Sequence, residues 1–150
     1  MPYTGSQAGI GLGTVLSIGT NTSPITYTAV GELNKIAGTG RQAGTADTTN
    51  FQSGAREFLP TLIDSGTWEI AGNRIGGDAG QVAMEAAFVA LQLHPFKIQL
   101  PKTANQTTIG DSCSFTALIE QLNYEVGVDK VVTLEGRLKV SGILTWVSGS

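Results

Sequence analysis

Hydrophobic and polar positions along this chain alternate in short runs, the period-two pattern of strands, with one exception. Leu12–Ile18 alternates as a short strand, and Gly19-Thr20-Asn21-Thr22-Ser23-Pro24 is a turn cluster. Thr26–Ile36 reads as a second strand, forming a hairpin with the first. Thr28, Val30, Glu32, Asn34 and Ile36 share one side of it, so neither side is cleanly polar. From Gly38 to Gly54 no periodicity exists, and the stretch reads as a long loop that becomes ordered on assembly. Arg56–Ile63 is extended and broken at Pro60, Asp64-Ser65-Gly66 turns, and Thr67–Ile75 is a strand. After the helix discussed next come a strand at Phe96–Leu100 and a polar loop at Lys102–Asp111. Ser114–Val126 and Lys130–Ser141 then form a long hairpin around Gly127-Val128-Asp129. Strands of this length exceed the common five or six residues and suit a sheet that continues beyond one small domain.

The exception is a helix over 78–93. Asp78 can cap it, with Gln81 reaching back three positions later, and Pro95 ends it. Val82, Ala86, Val89 and Leu93 fall on one face; Met84, Phe88 and Leu91 fall on nearly the opposite one. Ala83, Ala87 and Ala90 fill a flank, which leaves only Gln81, Glu85 and Gln92 as a polar stripe. A helix lying on a single sheet keeps about half its circumference polar. This one is expected to be covered from two sides, either by a loop of its own chain or by another subunit.

Composition sharpens the picture. In 150 residues there are 20 glycines, and only 14% of residues are charged, which favours strands and turns and leaves little charge to solvate long helices. The length fits one domain, 1–150, able to bury an ordinary core. A net charge of −3, with nine scattered basic residues, is a poor grip for nucleic acid. No apolar run approaches the roughly 20 residues of a membrane span, and Met1–Ile10 lacks the basic start and apolar stretch of a signal peptide, so a soluble chain not exported by the usual route is expected.

Candidate chemistry is thin. Gly38-Thr39-Gly40-Arg41-Gln42-Ala43 has dinucleotide-fingerprint spacing, but no helix follows to hold a pyrophosphate. His94 is the only imidazole and Cys113 the only thiol, so a four-ligand Cys/His zinc site is excluded, and no G-x-S-x-G motif surrounds any serine. No catalytic residue, cofactor or metal is expected. A self-associating structural protein, a monomeric β-sandwich binding module and, third, an enzyme relying on His94 are the classes to compare.

The order of parts decides among them. Gly13-Thr14-Val15-Leu16-Ser17-Ile18 is followed, after a Ser23-Pro24 turn, by Tyr27-Thr28-Ala29-Val30-Gly31-Glu32-Leu33-Asn34-Lys35-Ile36. Then come Asp47-Thr48-Thr49-Asn50, Arg56-Glu57-Phe58-Leu59-Pro60, Asp64-Ser65-Gly66, the helix opening at Asp78–Gln81 and Phe96-Lys97-Ile98-Gln99-Leu100-Pro101. A terminal hairpin ends in Leu138-Lys139-Val140-Ser141-Gly142. Across Leu12 to Gly142 the chain resembles the major tail tube proteins of long-tailed bacteriophages, a group similar in fold to the tube of the type VI secretion system.

The resemblance implies a mainly β fold, an antiparallel sandwich or barrel flanked by one helix. It implies self-assembly into six-membered rings stacked as a hollow tube in the virion tail, built in the host bacterial cytoplasm. Implied partners are the tape-measure protein, the tail terminator and baseplate or tip proteins, with DNA only as transient cargo. A type VI or phage-derived tail-like tube is the close alternative. Carried onto this sequence, Met1–Leu12 is an N-terminal arm and Gly38–Phe58 an inter-ring loop. Contact candidates are Arg41, Asp47, Asn50, Phe51, Arg56, Glu57 and Phe58 on the loop, with Met84, Phe88 and Leu91 on the helix. A duct must not retain its cargo, and grip on phosphates scales with Lys/Arg contacts. A neutral to acidic lumen is therefore expected, drawn from Glu32, Glu120, Glu125 and Glu135. Arg137 and Lys139 share the face of Glu135.

Overall fold

The computed structural model describes residues 9–150, so most of the expected N-terminal arm lies outside the described residues. Nine strands and one helix follow in chain order: β1 Val15–Gly19, β2 Tyr27–Val30, β3 Leu33–Thr39, β4 Gln42–Asp47, β5 Phe58–Asp64, β6 Thr67–Asn73, α1 Ala79–Ala90, β7 His94–Gln99, β8 Ser112–Glu125 and β9 Thr133–Val147. Seven of them form one antiparallel sheet in the order β2-β1-β7-β8-β9-β6-β3, and β4-β5 form a separate ribbon. The mainly β architecture with one helix agrees with the sequence.

That strand order forces the sheet to curl. β2 and β3 sit at opposite edges, yet only Gly31 and Glu32 separate them in the chain. Three residue steps span at most about 11 Å. A flat seven-stranded sheet would hold its edges roughly 29 Å apart at about 4.8 Å per strand. The edges therefore meet at one corner, and the inward faces enclose the core. Phe115 is stacked between Trp68 and Phe96, with ring centroids 5.9 and 5.8 Å away. Leu16, Ile98, Ile119, Leu134 and Leu138 pack around them, fully buried. Register shifts between Ser114 and Thr116 and between Ile119 and Gln121 bend the long β8-β9 hairpin around this core. At the second shift the buried set moves from Cys113, Phe115, Ala117 and Ile119 to Leu122, so the inward face is kept.

The single strand expected at Thr26–Ile36 is thus two strands. Glu32 adopts φ 60°, which turns the chain from one sheet edge to the other. At Gly31 a side chain would meet Asp78 Oδ1 at 2.6 Å, so a Cβ there would push the capping carboxylate aside.

α1 plugs this corner. Asp78 is its N-cap, accepting from Gln81 N (3.0 Å) and from Gly31 N (3.2 Å). Gln81 does not reach back to complete a capping box. Its amide points inward and donates to Gly31 O (3.1 Å) and Asn73 O (2.9 Å), while Oε1 accepts from Ile75 N and Arg74 Nη1, both at 3.0 Å. Both sheet edges and the helix are thereby tied through one buried side chain. The helix ends earlier than 93, because Leu91 turns left-handed at φ 54° with its N–H bonded to Ala87 O and Phe88 O.

The expected loop at Gly38–Phe58 is in part ribbon: β3 continues to Thr39, and β4 pairs with β5 from Gln42↔Asp64 to Asp47↔Phe58. Only 48–57 form the turn. Pro60 does not break β5, because β4 is its only neighbour and the register shift beside Pro60 absorbs the missing donor.

Candidate assembly surfaces

The ribbon projects from the body as an arm. Every β5 residue is exposed, including Phe58, Leu59, Leu62 and Ile63. Phe51 stands fully free at the tip. The turn is nonetheless built: Glu57 N donates to Thr49 Oγ1 (2.8 Å), Ser53 Oγ donates to Glu57 Oε2 (2.9 Å), and Asn50 Oδ1 accepts from Gln52 N (2.9 Å). Arg56 lies 3.9 Å from Asp47 Oδ2, and hydrogen bonds from Thr49 hold the Asp47 carboxyl below the usual range. Asp47, Asn50, Phe51, Arg56, Glu57 and Phe58 are thus gathered at the far end of one arm, and Arg41 lies at its root.

The helix candidates divide. Met84 is completely buried in the core of its own chain and has no surface left for a contact, whereas Phe88 packs against that core and is only partly buried. Periodicity identified two apolar faces but not which one the chain itself uses. The uncovered face carries Val82 (51% exposed) and Val89 (72%), with Leu91 (74%) at the helix end. Val82 and Val89 belong to the apolar face set opposite Met84 and Phe88, and nothing in the helix alone distinguishes the two.

The outward face of the large sheet is polar. Glu69, Glu120, Glu125 and Glu135 share it with Lys35, Lys97, Arg137 and Lys139, four acids against four bases. Glu69 joins Lys35 (3.9 Å) to Arg137 (3.8 Å), and Glu125 lies 3.6 Å from Lys130. Three of the four acids proposed for a lumen therefore lie on the outward side of β8 and β9. Glu32 is not among them; it sits at the corner, accepting from Asn73 Nδ2 at 3.2 Å.

The residues weighed for catalysis stay apart. His94 Nδ1 contacts Gly19 O at 3.1 Å, and Cys113 is buried in the core, where desolvation pushes its thiol up to about 11 against a small opposing pull from Arg41. Among the described residues, no group of three or more His, Cys, Asp or Glu side chains is arranged to hold a metal ion. No helix among the described residues is long and apolar enough to cross a membrane.

A curled sheet with a corner-plugging helix and a projecting ribbon is found in solved assemblies. The chain superposes on a subunit from the tail of an empty GTA particle, determined with C6 symmetry. There the TM-score is 0.72 at 17% identity, covering 94% of this chain and all of that one. This is the tail-tube fold. The SPP1 tail tube shares it at TM-score 0.68 and 20% identity, covering 94% of this chain and 79% of that one. So does the tube-terminating cap of the anti-feeding prophage, at 0.70 and 14%, covering 99% and 97%. No family model matches the sequence, and no curated protein does either. The tail-tube fold is thus carried here by a sequence far from its structural neighbours, and the shared features are topological.

Proposed function

We infer that this protein is the repeating unit of a hollow tail tube, six copies forming a ring and rings stacking into a duct that DNA traverses. The observation that carries the reading is the likeness over nearly the whole chain to a tail solved with sixfold symmetry. The apolar residues that the arm and α1 leave exposed support it, because a soluble monomer gains nothing from them. Its role is structural rather than catalytic. Its partners are further copies of itself, a tape-measure protein inside, and terminator and baseplate proteins at the ends. Its place is the virion tail, assembled in the host bacterial cytoplasm. The near-neutral outward sheet face suits a lumen that lets polyanionic cargo slide, with Glu120, Glu125 and Glu135 balancing the bases.

A second reading, the tube of a tail-like injection particle, is favoured by the likeness to the sheath-tube complex of an extracellular contractile injection system, at TM-score 0.66 and 12% identity. Negative-stain electron microscopy of the concentrated protein tests both. Rings or filaments with a central hole are expected; a persistent 15.6 kDa monomer under all conditions would overturn them. Nucleic acid inside native particles separates the first reading from the second.

A further inference from the structure

β3 and β6 pair as far as Thr39↔Thr67, and the pairing of β4 with β5 starts at Gln42↔Asp64. Two residues are passed over on each strand, so the register is the same on both sides of the gap. The arm is therefore the outer half of one long hairpin. Inside the gap Gly40 stands opposite Gly66, and both are left-handed, at φ 76° and 75°. Antiparallel strand backbone lies near about −140°, so two such glycines at one level bend both strands together. The approach is tight, because a side chain on Gly66 would strike Thr39 O and Arg41 N. Residues 40, 41, 65 and 66 thus make an elbow.

The elbow is tied to a third strand. Ser65 is only 7% exposed, and its Oγ donates to Gly142 O at 2.6 Å. Val140 N donates to Gly66 O at 3.1 Å. Gly142 sits where β9 parts from β8: Thr116↔Ser141 is followed by Ser114↔Thr145, so 142–144 bulge out. Below the joint lies a cavity of about 170 Å³, with Thr39, Arg41, Ser65, Trp68, Leu144 and Trp146 among its walls. The joint therefore has space on one side and one buried side-chain hydrogen bond holding it to β9. The bond from Gly66 N to Asp64 Oδ1 (2.9 Å) stays within the turn and ties it to nothing else.

We propose that the elbow is a locked hinge, in which the hydrogen bond from Ser65 to the β9 bulge fixes the direction of the arm. Without that bond the arm swings on Gly40 and Gly66. Ser65 is a positioning residue, and the lock sets the arm and the bulge together, since its acceptor belongs to β9. The inference concerns the single chain, so it stands or falls apart from the tube reading.

Spin labels on Gln52→Cys, in the turn of the arm, and Ala86→Cys, on the exposed side of α1, report the arm's direction in dilute protein by pulsed electron paramagnetic resonance. Cys113 is fully buried and stays unlabelled. The otherwise wild-type chain should give one narrow distance. Adding Ser65→Ala should broaden the distribution about two-fold or more, with circular dichroism unchanged, and the Val140 amide should exchange about ten-fold faster. Adding Thr67→Val removes the hydroxyl contact with Thr39 (3.1 Å) at the same joint and should leave both readings as they were. A broad distribution without Ser65→Ala, or a narrow one with it, overturns the lock. Equal broadening by Thr67→Val does so too, because any weakening of the joint would then free the arm. Loss of protection at the β4-β5 amides themselves in Ser65→Ala also overturns it, since Ser65 would then hold the ribbon together rather than aim it.

Discussion

At a position only 2% exposed, Gln81 uses both donors and both lone pairs of its amide, and its partners lie on two segments far apart in sequence, Gly31 and 73–75. Replacing it with alanine leaves Gly31 O, Asn73 O and Ile75 N without their partners in a dry corner. The expected cost is about 3 kcal/mol. For a chain of this size that is a melting point lower by roughly 6–12 °C, to be read by calorimetry. Leu91 offers the opposite sign. It holds a left-handed backbone that costs a residue with a Cβ about 1 kcal/mol, and its side chain is 74% exposed. Leu91→Gly should raise monomer stability by about 0.5–1 kcal/mol in urea titration.

Cys113 gives a pH dependence. Its folded value of about 11 lies above that of an unfolded thiol, so the unfolded chain loses its proton first. Stability should therefore be unaffected below about pH 8.5 and fall between there and about 11, by no more than about 1.4 kcal/mol per unit. Burial, helped by the hydrogen bond from its hydroxyl to Glu85 (2.7 Å), raises Tyr124 in the same direction. Denaturant midpoints across pH 7–11 for the wild type and Cys113→Ala separate the two, since only the thiol's share disappears in the variant.

Among the elements, the arm and α1 show what a sequence can and cannot disclose. The β1-β2 and β8-β9 hairpins were legible because each strand has one dry side, and alternation records it. β4 was not, since a ribbon wet on both faces imposes no alternation on residues such as Gln42, Gly44 and Thr45, and of β5 only the extended run Arg56–Ile63 was read, with a break at Pro60 that the strand does not have. The break at Glu32 was hidden for a different reason. It depends on the docking of Asp78 against Gly31, a contact 47 positions away in sequence. Helix packing is equally nonlocal: Gly80 lies against β2 so closely that a side chain would strike Ala29 O and Val30. Gly80→Ala should accordingly lift α1 off the sheet and cost about 2–4 kcal/mol, whereas Ala83→Gly on the flank should cost only about 1 kcal/mol. Arm amides should exchange with deuterium orders of magnitude faster than those of β8 in the monomer. They should slow strongly once tubes form, and hydrogen-exchange mass spectrometry reads both states directly.

At the scale of the whole molecule, the curl sorts side chains into a dry interior and a polar exterior whose acids and bases balance. The exterior ion pairs are 41–58% exposed around Glu69, too wet to add much to stability, so their consequence is electrical rather than structural. A face of this kind presents no net attraction to a polyanion, although each of its bases alone would offer some. If it lines the tube, upsetting the balance should convert a duct into a trap. Glu120→Lys with Glu135→Lys changes the face by about four charges per subunit, and neither residue contributes to the core, so folding and assembly should persist. Tubes of this variant should retain short duplex DNA in a filter or pull-down assay at low salt and release it steeply as salt rises, while wild-type tubes retain almost none. Equal retention by both would place the face outside the lumen. Loss of retention on blocking the tube ends, with an intact outer surface, would show that the added charge acts from inside.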